Sequence, residues 1–244
     1  MFNIVSDWNG TLTRSTEEES NKALGYGLLN RALLPWNWGR LPGLLAVKRD
    51  THEALDRYHA GEAPLSEVYG AFNKALEGVP VSVVYTLMDR YAKATCNQLD
   101  HEVLSPILKA KAWGARTGIL SVAYDRSIRS TLDGTPYRDV FQPEDIVANP
   151  LESRDGRAVG ITCAIFGKKP VVFERAFLDE RGFDPKKTFY FGDEDQDEGI
   201  LYLLPHEHFI VPFLATDEYR EYMAGKGAFV PEDRKDLSRF LFML

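Results

Sequence analysis

The sequence predicts an α/β protein, a doubly wound, Rossmann-like parallel sheet with an all-helical cap inserted into it. Three observations predict it. A short apolar run at the start (Phe2, Ile4, Val5) stops on Asp7, and Gly10 forces a turn directly after. Between residues 15 and 100 apolar positions recur with helical spacing, and nothing alternates like a strand for long. Beyond residue 100 short apolar runs and helical stretches take turns, the pattern of a parallel sheet with right-handed crossovers. The expected division is a core of residues 1–14 and 101–244, with residues 15–100 as a helical cap that can form a lid over a site.

Each element has its own signal. β-Branched and aromatic residues ended by a glycine read as a buried strand, so Asp7 falls at a strand's carboxyl end, where open α/β sheets hold ligands. Ser15-Thr-Glu-Glu18 has the capping-box spacing that opens a helix. Gly25, Gly27, Pro35, Gly39, Pro42 and Gly43 are expected to break up the stretch to residue 43. Among and just beyond them lie Leu28, Leu29, Leu33, Leu34, Trp36, Trp38, Leu41, Leu44 and Leu45. These read either as a helix pair packed on its neighbours or as an apolar face for a lipid-like substrate or a membrane surface. Pro64 suits a first turn, Val68, Tyr69, Phe72, Ala75 and Leu76 join Leu65 on one helical face, and Gly78 ends that helix. Val83, Val84, Leu87, Met88 and Tyr91 continue a second helix of the same kind.

In the second half, Leu104, Ile107, Leu108 and Ala112 mark a helix ending near Gly114. Residues 117–121 form a short apolar strand ending on the Ser121 hydroxyl, and 146–149 another strand. The stretch 158–166, after the Asp155-Gly156 turn signal, belongs to a small hairpin. Lys169-Pro170 opens a helix that stops at Gly182. A buried strand at 188–191 runs into Gly192-Asp193, residues 209–215 and 228–230 close the sheet, and 237–244 form a last helix.

Bulk properties narrow the function. A chain of 244 residues buries a full core without disulfides. Two cysteines, Cys96 and Cys163, suggest neither a disulfide framework nor a zinc site, which favours a reducing compartment. No run of about eighteen apolar residues is present, and no charged-then-apolar leader opens the chain, so a soluble, cytoplasmic protein without a transmembrane segment is expected. A net charge of -7 argues against a general affinity for nucleic acid. Nothing in the sequence speaks to oligomeric state.

Four places offer polar groups that a doubly wound sheet would gather at one edge: Asp7 with Asn9, Ser121, Lys169, and Asp193 with Asp197. Phosphoryl transfer suits them. A carboxylate can attack phosphorus, a hydroxyl and an ammonium can bind phosphoryl oxygens, and further carboxylates can hold Mg²⁺. Asp7-x-Asn9-Gly10-Thr11-Leu12, Ser121, Lys169 and Gly192-Asp193-x-x-x-Asp197 resemble, in order, the four motifs of the haloacid dehalogenase (HAD) superfamily. The helical stretch between the first two, and residues 146–156 followed by Gly160, resemble its phosphoserine-phosphatase-like branch. The resemblance implies Asp7 as a nucleophile that takes the phosphoryl group of a small phosphorylated metabolite and holds it as an aspartyl phosphate. It implies Asp7 and Asp193 as Mg²⁺ ligands with the Asn9 carbonyl, and Asp197 binding through water or orienting the site. Thr11, Ser121 and Lys169 would bind phosphate, with Lys168 an alternative to Lys169.

One position departs from the pattern. HAD phosphatases normally carry Asp where this chain has Asn9; that Asp protonates the leaving group and then activates water. Asparagine does neither, and losing a general acid–base typically costs about 10²–10⁴ in rate. A slow phosphatase with substitute help, a different HAD reaction, and an engineered change all fit Asn9, and a HAD-fold protein that only binds a phosphorylated ligand or a partner is the rival function. Other readings are weaker. The Asp193–Asp197 spacing suggests a calcium loop, but glycine falls one place late, at Gly199, and the twelfth position is Leu204. His206-x-His208 lacks a third ligand, and Cys163 reads as a small buried hydrophobe.

Overall fold

The structure, a computed structural model, describes residues 2–15, 17–162 and 164–242; the side chains of Glu17, Glu18, Ser20, Pro35, Trp36 and Leu65 are also outside the description. The expected capping box and the readings of Cys163, of the Trp36 side chain and of the last two residues therefore fall wholly or partly outside the described residues.

In chain order the strands are β1 (Asn3–Ser6), β2 (Arg116–Tyr124), β3 (Ile146–Asn149), β4 (Leu151–Arg154), β5 (Arg157–Ile161), β6 (Thr188–Phe191) and β7 (Phe209–Ile210). The helices are α1 (Glu17–Ala32), α2 (Leu41–His59), α3 (Leu65–Leu76), α4 (Val81–Thr95), α5 (His101–Ala112), α6 (Asp125–Asp133), α7 (Lys169–Phe173), α8 (Asp195–Leu201), α9 (Asp217–Gly225) and α10 (Arg234–Phe242). Five strands form a parallel sheet in the order β3-β2-β1-β6-β7, while β4 and β5 pair as a separate antiparallel hairpin. The chain steps outward on one side of β1, then returns to build β6 and β7 on the other. The order thus reverses between β1 and β6, and ligands of doubly wound sheets bind at such a reversal.

Side chains alternate along each strand, so both faces are covered. Ile4, Ile119 and Phe189 pack with Ile107 of α5 and Leu237 of α10, while Val5, Leu120 and Tyr190 pack with Phe173, Phe177 and Ile200 on the opposite face. Each such apolar side chain, fully buried, contributes about 1.5–3 kcal/mol. This sandwich holds the carboxyl ends of β1 and β6 in register, Ser6 beside Phe191.

Several elements differ from the sequence expectation. α1 runs unbroken through Gly25 and Gly27. A Cβ at Gly27 would come within 2.6 Å of Leu87, so this glycine lets α1 close onto α4 rather than ending a helix. The apolar stretch 28–47 divides. Leu28 is buried, and Leu44 and Val47 pack against the same cluster, yet Leu33, Leu34, Trp38 and Leu45 are exposed. β2 continues to Tyr124 with a register shift after Leu120, instead of ending at Ser121. β7 stops after two residues because Pro212 has no N–H to extend a ladder, and 228–230 contributes one bridge, Phe229 to Ile210.

The β4–β5 hairpin turns at Asp155 and Gly156, both with positive φ, as a type I′ turn requires. It does not lie against the sheet. Asn73 of α3 exchanges two hydrogen bonds with the backbone of Ile161, at 2.9 and 2.8 Å, and Ala158 and Ile161 join the core of α1, α3 and α4. The chain leaves the sheet layer at Thr13 and returns at Leu99, and these two residues pair with each other. No helix among the described residues is long and apolar enough to cross a membrane.

Candidate active site

Asp7 comes directly after β1, and its N–H donates to the Phe191 carbonyl of β6 at 2.9 Å, which fixes it at the strand reversal. The next residues curl back: the N–H groups of Leu12 and Thr13 both reach the Trp8 carbonyl. Gly10 sits at φ +70°, and a Cβ there would lie 2.0 Å from Asp193 Oδ2. Only glycine supplies that backbone conformation at no cost and leaves room for the carboxylate. Thr11, fully buried, donates its hydroxyl to Asp193 Oδ1 at 2.6 Å.

Asp193 lies just past β6, and α8 then presents Asp197 in its first turn, its N–H held by the Glu194 carbonyl. Lys169, the first residue of α7, crosses to meet them. Its ammonium is 2.9 Å from Asp7 Oδ2, 2.9 Å from Asp197 Oδ1 and 3.6 Å from Glu194 Oε1, with none of its side chain exposed. Burial opposes the charge on Lys169, but Asp197 and Asp7 outweigh it and hold its pKa well above the usual lysine value. The Tyr190 hydroxyl donates to Asp197 Oδ1 at 2.6 Å.

Three carboxylates thus surround one ammonium, and Asp193 adds a fourth beside Asp7 and Asp197. Burial pushes the Asp7 carboxyl up to about 6 against the pull of Lys169. Burial, reinforced by Asp7 and Asp197, holds Asp193 well above the usual carboxylate range. Asp7 Oδ1 and Asp197 Oδ2 are buried with no hydrogen-bond partner. One oxygen from each of Asp7, Asp193 and Asp197 falls within 4.8 Å of the others. Excess negative charge, orphaned carboxylate oxygens and an all-oxygen donor set fit a hard divalent cation such as Mg²⁺.

Of the residues singled out in the sequence, Asp7, Thr11, Lys169, Asp193 and Asp197 meet in one cluster. Ser121 is buried in β2, two residues beyond the partner of Ser6, and its Oγ accepts from the Ala123 N–H rather than bonding any of the carboxylates or Lys169. Asn9 is half-buried; its Oδ1 accepts from the Ser15 hydroxyl at 3.4 Å, while its Nδ2 is buried without a partner. Lys168 is exposed, so of the two lysines Lys169 alone enters the cluster. The two histidines point to separate carbonyls, His206 to Lys226 and His208 to Thr188.

Three groups were not read from the sequence. Tyr190 anchors Asp197, Glu194 faces Lys169, and the Tyr219 hydroxyl donates to the Glu194 carbonyl at 2.9 Å. Tyr190 did carry a signal, since a tyrosine within an otherwise apolar buried strand needs a partner for its hydroxyl. Removing Lys169 tests the electrostatics. Lys169→Ala leaves Asp7 and Asp197 buried without their cation and is expected to cost about 3–5 kcal/mol. Urea unfolding without divalent cation measures it, and a loss well under 1 kcal/mol would mean that the cluster does not depend on this ion pair.

No protein-family model and no curated protein matches this chain. Solved structures do. A substrate-bound phosphoserine phosphatase complex superposes with a TM-score of 0.60, covering 100% of this chain and 98% of its own at 15% identity. A phospho-aspartyl intermediate analogue of phosphoserine phosphatase gives 0.58 over 98% of each chain at 17% identity. A HAD family hydrolase from Salmonella enterica subsp. enterica serovar Typhi gives 0.61 over 98% of this chain and 69% of its own, also at 17% identity. Likeness at this level is one of fold. The chain has the HAD-type α/β fold with a helical insert, in its phosphoserine-phosphatase-like form.

Proposed function

We propose that the protein is a Mg²⁺-dependent phosphatase of the HAD type, which hydrolyses a small phosphomonoester through an aspartyl phosphate on Asp7. The observation that carries this reading is the asymmetry of Asp7. One carboxylate oxygen is fixed by Lys169, the other is buried and unpartnered, and the residue belongs to an acidic cluster that fits a cation.

Asp7 Oδ1 attacks phosphorus while the ester P–O bond breaks, and the alcohol leaves with a proton from solvent. Water then attacks the phosphorus of the acyl phosphate, inorganic phosphate departs and the Asp7 carboxylate returns. Lys169 orients the nucleophile through Oδ2 and offsets phosphoryl charge. Thr11 and Ser121 add contacts to the phosphoryl oxygens, and the Asn9 amide donates a hydrogen bond but no proton. Asp7, Asp193 and the Asn9 carbonyl would hold Mg²⁺, with Asp197 through water. When bound, the ion supplies the positive charge that lets a carboxylate approach a phosphate dianion. Residues 15–100 act as the cap over this site, in a cytoplasmic protein.

Phosphate release from p-nitrophenyl phosphate with Mg²⁺, and its loss with a chelator, tests the reading. A second function, binding of a phosphorylated ligand without turnover, is favoured by Asn9 alone; it predicts saturable binding of a fluoride phosphate mimic and no release. Metal binding has its own readout. Mg²⁺ at about a hundredfold over its Kd is expected to stabilise the fold by ~2.7 kcal/mol, an effect that Asp193→Asn largely removes. Equal melting temperatures with and without Mg²⁺ would count against the site.

A further inference from the structure

Building on the phosphatase reading, we infer that the alcohol half of the substrate is a largely apolar group of about ten non-hydrogen atoms, and that the cavity between α1, α2 and α3 receives it. That cavity has a volume of about 300 Å³. At the roughly 30 Å³ that a water-sized group occupies in a liquid, it holds about ten such atoms. Its walls are mainly Leu29, Val47, Leu55, Val68, Phe72 and Ala75. Two residues at the start of α8, Glu194 and Gln196, belong to its lining, whereas Asp7, Asn9, Thr11, Ser121 and Lys169 do not. The phosphoryl-binding groups therefore lie beyond one end of the cavity, and the cavity is placed for the leaving alcohol.

The space is partly open to solvent, so a small molecule can enter it between the helices. Four of its lining residues hold polar atoms that are buried without a hydrogen-bond partner: Asn21 Oδ1, Thr51 Oγ1, Tyr69 OH and Gln196 Oε1. Tyr69 as a whole is only 2% exposed. An apolar volume with a few fixed polar groups is how proteins orient an amphiphilic small molecule. Of the charged lining residues, Lys22, Lys48, His52 and His59 are exposed, and Glu194 lies beside Lys169. The occupant is thus an alkyl or aryl alcohol with one or two hydrogen-bonding groups. Leu29 and Val47, both from the apolar 28–47 stretch, form part of its wall.

Non-hydrolysable alkyl phosphonates separate this inference from the phosphatase reading, because binding is measured without turnover. With Mg²⁺ present, calorimetric affinity is expected to rise about fourfold per methylene from methyl through hexyl phosphonate, the equivalent of ~0.8 kcal/mol each, and to level off only near the length of about ten atoms that the cavity holds. Gly25→Leu fills the cavity from α1. A Cβ there meets only Phe72, at 3.6 Å, and leucine is the better helix former, so the fold should hold. It is expected to weaken hexyl phosphonate by roughly tenfold or more while leaving methyl phosphonate unchanged. Leu55→Ala enlarges the cavity and should move the levelling-off point to longer chains. Binding that is independent of chain length, or absent at every length, overturns the inference even if p-nitrophenyl phosphate is hydrolysed. Chain-length-dependent binding without hydrolysis of any monoester keeps the cavity assignment and removes the phosphatase reading.

Discussion

Asp7→Asn is expected to bring phosphate release down to the uncatalysed rate on every monoester, with no phosphoenzyme trapped on rapid acid quenching. The amide keeps the shape of the carboxylate, but its uncharged oxygen is a far weaker nucleophile and cannot form the acyl phosphate. The fold should survive. Burial already disfavours the ionised form of Asp7, whose pKa is pushed up to about 6, so at neutral pH its charge opposes folding. A neutral side chain also relieves repulsion among Asp7, Asp193 and Asp197. Without divalent cation the variant is therefore expected to melt no lower than the parent, which separates lost chemistry from lost structure. Turnover that persists in Asp7→Asn would place the nucleophile elsewhere and sink the proposed mechanism.

Asn9→Asp is expected to accelerate hydrolysis of alkyl phosphates by about 10²–10⁴, the usual contribution of a general acid–base, and to change aryl phosphates little. The contrast comes from the leaving group. An alkoxide needs a proton as the P–O bond breaks, whereas p-nitrophenolate departs without one. The site has room for the change, because Ser15 can donate to a carboxylate oxygen as it does to Asn9 Oδ1, and the second oxygen takes the place of the unpartnered Nδ2. Steady-state rates on methyl, hexyl and p-nitrophenyl phosphate measure it. Equal acceleration on all three would mean that Asn9 limits a step other than leaving-group departure. No acceleration on any would mean that another group already supplies the proton, or that the chain does not hydrolyse these esters.

The sequence by itself determined the fold class and most of the cluster, because both are written in local pattern. A strand that stops on Asp7 and a glycine, another that stops on Gly192-Asp193, and a helix opened by Lys169 place their polar residues at element ends. A doubly wound sheet must bring such ends together at its reversal, whatever lies between them. The sequence left Lys168 open beside Lys169; the packing of α7 buries Lys169 and leaves Lys168 exposed.

Tertiary structure decided what depends on partners distant in sequence. Gly25 and Gly27 looked like helix breakers, yet α1 continues through both, and at Gly27 a missing side chain permits the approach of Leu87, sixty residues away. The β4–β5 hairpin reads as part of the sheet half, but Asn73 clips it to the helical layer. Tyr190 and Glu194 join the site through Asp197 and Lys169, contacts that no spacing rule encodes. The apolar cavity beside Glu194 and Gln196 exists only because three helices fail to fill the space between them. Hydrophobic periodicity says which face of a helix is buried, and only the assembled fold says what that face meets and what room it leaves.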